Sequence, residues 1–277
     1  MKVLGILLVL TLVLFGIMRH DVKEEEYIEF THREGFDSSG VVINRYGDLA
    51  GSGTLIDEQY VLTAAHLKMV RNFEIERQVY CQFEGKKYKV SEIFIPEGHV
   101  NTKAKKFGDI AVMRLEKPVK RIEPAKLYSD FDELGKEVAI VGYGYFGHAI
   151  PKGTKLLDKP RKLAGMNVID SIGGEINHKE RGLPPFLFAD FDHPTDSTCC
   201  NRMGSAISLP LEYITAGGDS GGGLFIMDQG EWKLAGVCSA GYGYGYDVKS
   251  DYGLIGYWTR VSVFQDWIKE KKKNLGR

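Results

Sequence analysis

The sequence predicts an all-β protein that ends in a single helix. The chain of 277 residues contains 33 Gly, 14 Tyr and 14 Phe, a composition typical of strands joined by tight turns. Short apolar runs bounded by turn residues follow one another along most of the chain, whereas helical spacing of apolar residues is clear only near its end. With 43% hydrophobic residues, the chain can bury a core as one large domain or as two small ones.

The apolar runs form two groups, separated by a segment of mixed charge with two prolines at residues 117–136. The runs of the first group are Gly40–Ile43, Gly53–Ile56, Tyr60–Thr63, Gln78–Phe83, Tyr88–Val90, Ile93–Ile95 and Ile110–Leu115. Those of the second group are Glu137–Val141, Leu163–Ile169, Phe186–Phe188, Leu224–Ile226 and Leu234–Cys238. Short strands at this spacing favour a sandwich or barrel over alternating strands and helices.

The last predicted element is a helix. Ser262 is followed three residues later by Gln265, the spacing of a capping box at a helix start. Phe264, Trp267 and Ile268 then fall on one helical face, as in an amphipathic helix.

The first 18 residues differ from the rest of the chain. Lys2 is followed by an uncharged apolar run from Val3 to Met18, and then by Arg19. This is the pattern of a secretory signal peptide, here within residues 1–20, and it predicts an extracytoplasmic protein that is secreted or periplasmic. Such a run would span about 24 Å as a helix at ~1.5 Å per residue, which is marginal for a bilayer. Because no Ala-x-Ala-like cleavage site is present, membrane attachment through residues 1–18 stays open.

Charge and cysteine content exclude several classes of function. With 36 basic and 37 acidic residues, the chain has no overall field that favours nucleic acid. Zinc-site cysteine spacing and a His-Glu-x-x-His motif are both missing, so neither a metal nor a cofactor is predicted. Four cysteines allow three pairings, although the neighbours Cys199 and Cys200 would bridge each other only with strain. Cys238 lies in an apolar run, where a buried thiol is expected.

Ser220 lies within Gly218-Asp219-Ser220-Gly221-Gly222. Glycines let backbone N–H groups approach a ligand closely, which suits an exposed nucleophile beside an oxyanion pocket. A glycine-rich turn between two strands would explain the stretch as well. The choice depends on whether the rest of the chain supplies a base.

A histidine is the candidate for that base, and an aspartate is the candidate for the carboxylate that orients it. His66 ends the strand-like run Val61–His66, although a histidine at a strand end is more often structural. Asp109 directly precedes the strongly apolar strand predicted to begin at Ile110. An unpaired charge is costly in such a place, so a partner is expected. A buried carboxylate that accepts one imidazole N–H leaves the other nitrogen free to deprotonate a serine. His66, Asp109 and Ser220 are therefore predicted to be the catalytic residues.

These motifs resemble those of the chymotrypsin-like (trypsin-fold) serine peptidases, whose His, Asp and Ser occur in this order along the chain. The resemblance is carried by Thr63–His66, Asp109–Val112, Gly218–Gly222, Thr259–Ser262 and Trp267–Ile268, with support from Gly51–Ile56 and Gly142–Gly144. The Gly-x-Ser-x-Gly elbow of α/β-hydrolases also fits, but there the aspartate and histidine follow the serine. No histidine follows His193, which excludes that fold.

The resemblance implies an all-β fold of two six-stranded antiparallel β-barrels packed together with a C-terminal α-helix. We expect a peptidase domain at residues 37–270, with a first barrel at about 37–125 and a second at about 130–260. The C-terminal helix is expected at about 262–273. The active site would lie in the cleft between the two barrels.

The resemblance also implies residue roles. Gly218 and Ser220 would supply the backbone N–H groups of an oxyanion hole. The implied substrate-binding positions are Ile214, Thr215, Ser239, Ala240, Gly241 and Gly256. With Ile214 at the floor of the primary pocket, an apolar substrate side chain is expected, and a register slip that brings in Glu212 is the alternative.

Departures from the family leave two points open. Gly51, Leu67 and Ala216 stand where relatives usually carry cysteines, so core packing must replace those disulfides. Many relatives pair the aspartate before the serine, here Asp219, with a new N-terminus, yet no Arg/Lys-Ile/Val-x-Gly site lies between residues 21 and 40. The expected function is a serine endopeptidase acting on proteins or peptides. The alternatives are an inactive homologue that serves as a binding module and an esterase on the same fold.

Overall fold

The computed structural model describes residues 16–69, 78–96, 108–149, 155–156, 160–173, 185–198, 200–242 and 252–273. The strands of the first half are β1 (Gly16–Met18), β2 (Ser39–Ile43), β3 (Leu49–Asp57), β4 (Tyr60–Thr63), β5 (Tyr80–Phe83), β6 (Lys86–Phe94) and β7 (Ala111–Leu115). Those of the second half are β8 (Glu137–Gly142), β9 (Phe146–His148), β10 (Lys155–Leu156), β11 (Leu163–Val168), β12 (Ser171–Gly173), β13 (Phe186–Asp190), β14 (Tyr213–Ile214), β15 (Gly223–Asp228), β16 (Glu231–Tyr242) and β17 (Ile255–Arg260). Two helices, α1 (Glu24–Phe30) and α2 (Val261–Lys273), flank the sheets.

Strands β2 to β7 of the first half form a closed antiparallel barrel in the order β2-β3-β4-β7-β6-β5. Apolar side chains from every side fill its interior, among them Leu55, Leu62 and Phe83. A Cβ at Gly40 would lie 2.5 Å from the Phe83 ring, so only glycine leaves room for this large side chain. The predicted first barrel is confirmed.

Seven strands of the second half form a curled antiparallel sheet in the order β11-β8-β15-β16-β17-β13-β12. Its buried face carries Ile140, Leu224 and Trp258. The sheet exceeds the expected six strands because the hairpin of β12 and β13 extends its edge beyond β17. The mostly β fold with a C-terminal helix is thereby confirmed, with a curled half-barrel as its second half.

A small sheet in the order β10-β9-β1-β14 ties the start of the described chain to the second half. Strand β1 runs antiparallel to β14 and parallel to β9, and Ile17 and Met18 are buried in the second core. Residues 1–15 of the predicted signal or anchor lie outside the described residues, so that prediction stays a prediction. Across the described ranges, no helix combines the length and apolarity needed to cross a bilayer.

Helix α1 was not predicted from the sequence. Three glutamates occupy its first turn, at residues 24–26, where acidic side chains favour the positive end of the helix dipole. Tyr27 is fully buried, and its hydroxyl donates to the Glu212 carbonyl at 2.9 Å. A helix of seven residues is too short to show a repeated apolar spacing in the sequence.

Helix α2 confirms the predicted C-terminal helix but not its capping box. The Ser262 hydroxyl donates to Glu133 at 2.7 Å, and the Gln265 side chain donates to the Tyr128 carbonyl at 2.8 Å. Both side chains therefore bond to the segment before β8 and not to each other's backbone. Ser262 does so because Glu133 is a buried carboxylate that needs donors. The predicted apolar face is confirmed, with Phe264, Trp267 and Ile268 packed in or against the first core.

The cysteines contribute little cross-linking. Cys81 and Cys238 are buried free thiols, as expected for Cys238, so the two halves are not joined through them. Cys200 is disulfide-bonded, and Cys199 lies outside the described residues. Between β7 and β8 the described chain forms no strand, and the boundary at residues 117–136 stays a prediction.

Candidate active site

His66 lies directly after strand β4, in a single 3₁₀ turn from Ala65 to Met69. The preceding Thr63 donates its hydroxyl to the Ser52 carbonyl at 2.7 Å, which fixes the end of β4 to β3. Ala64 and Ala65 are buried, and their small side chains allow other segments to approach the turn closely. The imidazole is therefore held at the edge of the first barrel.

Asp109 is the anchor of the His66 ring. Its side chain is 2% exposed and accepts three hydrogen bonds: the His66 backbone N–H at 2.8 Å, His66 Nδ1 at 2.5 Å and the Ser239 hydroxyl at 2.7 Å. The Asp109 backbone N–H donates to Thr259 Oγ1 at 3.0 Å, and Thr259 donates back to the Asp109 carbonyl. Residues of the second half thus hold Asp109 in place, which joins the two halves at this site.

The environment keeps Asp109 ionised and orients the imidazole. Burial disfavours the charged carboxyl, but the hydrogen bonds from His66 and Ser239 outweigh it and hold the pKa of Asp109 below its ordinary value. An anionic Asp109 accepts a hydrogen bond from the Nδ1–H of His66, and this tautomer leaves Nε2 with a free lone pair. His66 is therefore prepared to accept a proton at Nε2.

The loop that carries Ser220 contacts the segment that carries His66. Gly221 adopts φ of +83°, and a Cβ there would lie 2.2 Å from Thr63 Oγ1 and 3.1 Å from the Ala64 nitrogen. Only glycine permits this approach. The Ser220 carbonyl accepts the Ser52 N–H at 2.7 Å. In the described chain no direct hydrogen bond joins the Ser220 hydroxyl to His66, a contact that is often long in unliganded sites.

Three backbone N–H groups of this loop have no acceptor within the described residues, namely those of Gly217, Gly218 and Ser220. The Gly217 carbonyl accepts the Tyr145 N–H at 2.9 Å. Because C=O and N–H point in opposite directions across a trans peptide, the Gly218 N–H faces away from Tyr145. The Gly218 carbonyl is in turn fixed by the Ser52 hydroxyl at 3.0 Å. The loop therefore presents unpaired donors on either side of Asp219.

Asp219 has the partner that the sequence did not identify. Its carboxylate is 1% exposed and accepts the Tyr213 hydroxyl at 2.9 Å, the Ala216 N–H at 3.0 Å and the Gly144 N–H at 2.8 Å. Burial raises the pKa of Asp219 to about 6, although these three hydrogen bonds lower it. Tyr213 was missed because no local motif links it to Asp219.

The structure brings together most of the predicted substrate-binding residues. Gly241 on β16 pairs with Gly256 on β17, and a Cβ at Gly256 would lie 2.9 Å from the Ile214 side chain. Thr215 is buried, and its hydroxyl has no hydrogen-bond partner among the described residues. Ala240 lies on the same strand, directly before Gly241.

Ser239 differs from the other predicted substrate-binding residues. Its hydroxyl is bonded to Asp109 and its side chain is buried. The sequence could not separate a substrate contact from a contact to Asp109.

Apolar packing occupies the position of one of the expected family disulfides. A Cβ at Gly51 would lie 2.9 Å from a methyl group of Leu67, and Leu67 is buried. The leucine side chain therefore fills the space beside Gly51. In the described ranges, no group of three or more His, Cys, Asp or Glu side chains is arranged to hold a metal ion.

Comparisons with known proteins identify the family of the chain. The family model described as "Trypsin" matches residues 32–169 and 195–268. "Snake venom serine protease serpentokallikrein-2" of Protobothrops mucrosquamatus is 31% identical over 237 residues, which cover 83% of this chain and 80% of the relative. "Thrombin-like enzyme elegaxobin-1" of Protobothrops elegans is 29% identical over 245 residues, with 83% and 88% covered. "Beta-fibrinogenase mucrofibrase-5" of Protobothrops mucrosquamatus is 30% identical, with 83% and 80% covered.

Proposed function

Since the chain belongs to the trypsin family of serine peptidases, we propose that it is a serine endopeptidase that cleaves proteins or peptides by means of His66, Asp109 and Ser220. The observation that carries this proposal is the buried Asp109, which bonds to both the backbone N–H and Nδ1 of His66. The His66 side chain is 26% exposed and can therefore meet a substrate, and general-base catalysis requires a histidine that a carboxylate orients in this way.

In the proposed mechanism, Ser220 attacks the substrate carbonyl while His66 Nε2 accepts the hydroxyl proton. The imidazolium that forms is stabilised by Asp109, and it then protonates the leaving amine. This step leaves the acyl group on Ser220. Water, activated by His66 in the same way, releases the acyl group and restores the enzyme.

The negative oxygen of each tetrahedral intermediate would be held by the N–H groups of Gly218 and Ser220. Both donors lack acceptors in the described chain, so no protein hydrogen bond has to break when the oxyanion forms. One such donor contributes about 3 kcal/mol to transition-state stabilisation.

The substrate preference follows from the floor of the proposed pocket. Ile214 lies against Gly256, and the Trp258 ring lies within contact distance of the same glycine. No charged side chain is among these groups, so an apolar substrate side chain before the cleaved bond is favoured over Lys or Arg. Gly241 at the pocket wall leaves room for entry.

The proposed site of action is extracytoplasmic, in accord with the apolar leader and with the venom origin stated in the name of one relative. The competing function is a binding module that has lost activity. An intact Asp109–His66 pair and unpaired donors at Gly218 and Ser220 argue against it. An esterase would use the same groups, so the substrate must separate these activities.

Digestion of a peptide library tests the proposal. The wild-type chain is expected to cleave peptides after apolar residues, and S220A is expected to lose this activity by at least 10³-fold. S91A serves as a matched control, because Ser91 Oγ bonds to the Arg114 carbonyl on the first barrel, away from the site. Hydrolysis of small esters without cleavage of any peptide would support an esterase. Absence of both activities in a folded wild-type chain would support the binding module.

A further inference from the structure

The carboxylate next to the proposed nucleophile lies in the protein interior. Asp219 precedes Ser220 directly and is 1% exposed. A carboxylate in such a place is stable only if donors replace the water that it has lost. Three donors do so, the Gly144 N–H, the Ala216 N–H and the Tyr213 hydroxyl, at 2.8 to 3.0 Å. Tyr213 is the only one of the three that acts through a side chain.

The Asp219 carboxylate fills the space between two loops. A Cβ at Gly142 would lie 2.2 Å from its Oδ1 atom, and a Cβ at Gly144 would lie 2.6 Å from its carboxyl carbon. Both glycines belong to the segment that begins at the end of β8. Asp219 therefore fixes the distance between this segment and the loop of Ser220.

The same two loops set the direction of the Gly218 N–H. Tyr145, one residue after Gly144, donates its N–H to the Gly217 carbonyl at 2.9 Å. Gly218 itself packs against Gly144, since a Cβ at Gly218 would lie 3.0 Å from the Gly144 Cα. A shift of Asp219 would thus alter the register between Tyr145 and Gly217, and with it the peptide plane that carries the Gly218 N–H.

Tyr213 is held firmly enough to serve as the anchor. It lies on β14, opposite Met18 of β1, and is buried. A Cβ at Gly165 would lie 2.2 Å from the Tyr213 Cβ, so β11 packs directly on the tyrosine. Asn167 donates to the Tyr213 carbonyl at 3.1 Å. Strand β11 therefore fixes the backbone and the Cβ atom of Tyr213, and its hydroxyl meets Asp219 at little entropic cost.

Building on the proposed peptidase function, we propose that Tyr213 is a positioning residue: its hydroxyl holds Asp219, and Asp219 keeps the Gly218 and Ser220 N–H groups aimed at the oxyanion. Tyr213 does not touch the substrate in this account. It acts on the transition state through two intervening groups, so its loss should lower kcat and leave KM nearly unchanged.

The hydrogen bond from Tyr213 also affects the pKa of the Asp219 carboxyl. Within the described chain, the charge of Asp219 raises the pKa of the Tyr213 hydroxyl and of the Cys238 thiol. Burial raises the pKa of Tyr213 and of Cys238 well above their ordinary values, so both stay neutral. Removal of the Tyr213 hydroxyl takes away a bond that favours the anion. The pKa of Asp219, about 6 with that bond, would then rise.

The test compares Y213F with Y27F. Tyr27 is an equally buried tyrosine nearby, and its hydroxyl donates to the Glu212 carbonyl rather than to Asp219. For Y213F we expect kcat on a peptide substrate to fall about 10-fold or more, KM to change less than twofold, and the acid limb of kcat to move to higher pH. For Y27F we expect an unchanged kcat and acid limb, with a similar loss of thermal stability.

Two further measurements keep the proposal open to refutation. In a double-mutant cycle, Y213F/D219N should be no slower than D219N, because Tyr213 acts only through Asp219. If Y213F does not fold, 3-fluorotyrosine at position 213 replaces it. This more acidic phenol donates more strongly, so it should move the acid limb to lower pH. Equal kcat and pH profiles for Y213F and Y27F, or an unmoved acid limb with fluorotyrosine, would overturn the proposal.

The outcome is distinct from a failure of the proposed function. If wild-type protein does not react with a fluorophosphonate, the peptidase function fails. If it reacts and Y213F reacts equally fast, only the role of Tyr213 fails.

The labelling is done on the chain that retains residues before Gly16, with intact mass measured afterwards. All three Asp219 donors come from residues 144–216, so the uncut chain should react. Labelling confined to chains cut near Ile17 would contradict this role.

Discussion

Replacing Ile17 and Met18 by alanine tests whether β1 belongs to the folded enzyme. The two residues end the apolar run predicted as a leader, yet they are 3% and 0% exposed in the second core. If the predicted leader were cleaved off through residue 20, the mature chain would lack both residues. If the chain were cleaved before Ile17, the mature chain would keep both of them.

The expected magnitude follows from their burial. Replacing a fully buried Ile or Met by Ala costs about 2–5 kcal/mol, because apolar contacts are lost and a cavity remains. The double variant I17A/M18A should therefore lose about 4 kcal/mol or more, a large part of the total stability of a typical domain. Ile207 is 75% exposed, so I207A should change stability by less than about 0.5 kcal/mol.

The assay is urea unfolding of the secreted protein, followed by fluorescence, with the N-terminus determined by sequencing. We expect I17A/M18A to lower the unfolding midpoint strongly and I207A to leave it unchanged. If the double variant unfolds at the wild-type midpoint, or if the mature chain starts after Met18 and is fully active, then β1 is not part of the enzyme and our reasoning about its burial is wrong.

Two other predictions concern stability. E133Q should lower the free energy of unfolding in urea by about 3–5 kcal/mol, because it breaks a buried ion pair with Arg260. The control is E231Q, which breaks the exposed pair of Glu231 and Lys126 and should cost less than about 1 kcal/mol. Equal losses in the two variants would contradict this prediction. Burial raises the pKa of Glu212 to about 9, so its contribution to stability is full below its unfolded pKa and is lost as pH rises through 9. E212Q should therefore flatten the fall in stability between about pH 5 and 9, and an unchanged pH profile would refute this assignment.

The proposed catalytic residues could be singled out from the sequence because each stands in a local motif. Ser220 lies among glycines that the loop needs, since Gly221 has a positive φ and contacts the His66 segment. Asp109 could be predicted to have a partner because a carboxylate at the start of a buried strand is costly alone. Order along the chain then excluded the competing fold.

The supporting contacts could not be predicted, because they join residues far apart in sequence. Ser239 bonds to Asp109 across 130 positions, and nothing in the local sequence of either residue indicates this. The same holds for Ser262, whose spacing to Gln265 suited a capping box although its hydroxyl bonds to Glu133. Local patterns therefore specify candidate groups, while tertiary packing decides their partners.

Strand β1 shows a different limit. An uncharged apolar run satisfies both a leader and a buried strand, because each requires only hydrophobic side chains. The pairing of Ile17 with Ile214 depends on the sheet that the rest of the chain builds.

The most direct test of the central claim is to react the folded protein with a fluorophosphonate and to locate the adduct by peptide mass spectrometry. We predict a single adduct on Ser220 in the wild-type chain and in S91A, and a rate reduced by at least 10³-fold in H66A. An adduct on any other residue, or a rate that does not depend on His66, would contradict the assignment of His66 and Ser220 as base and nucleophile.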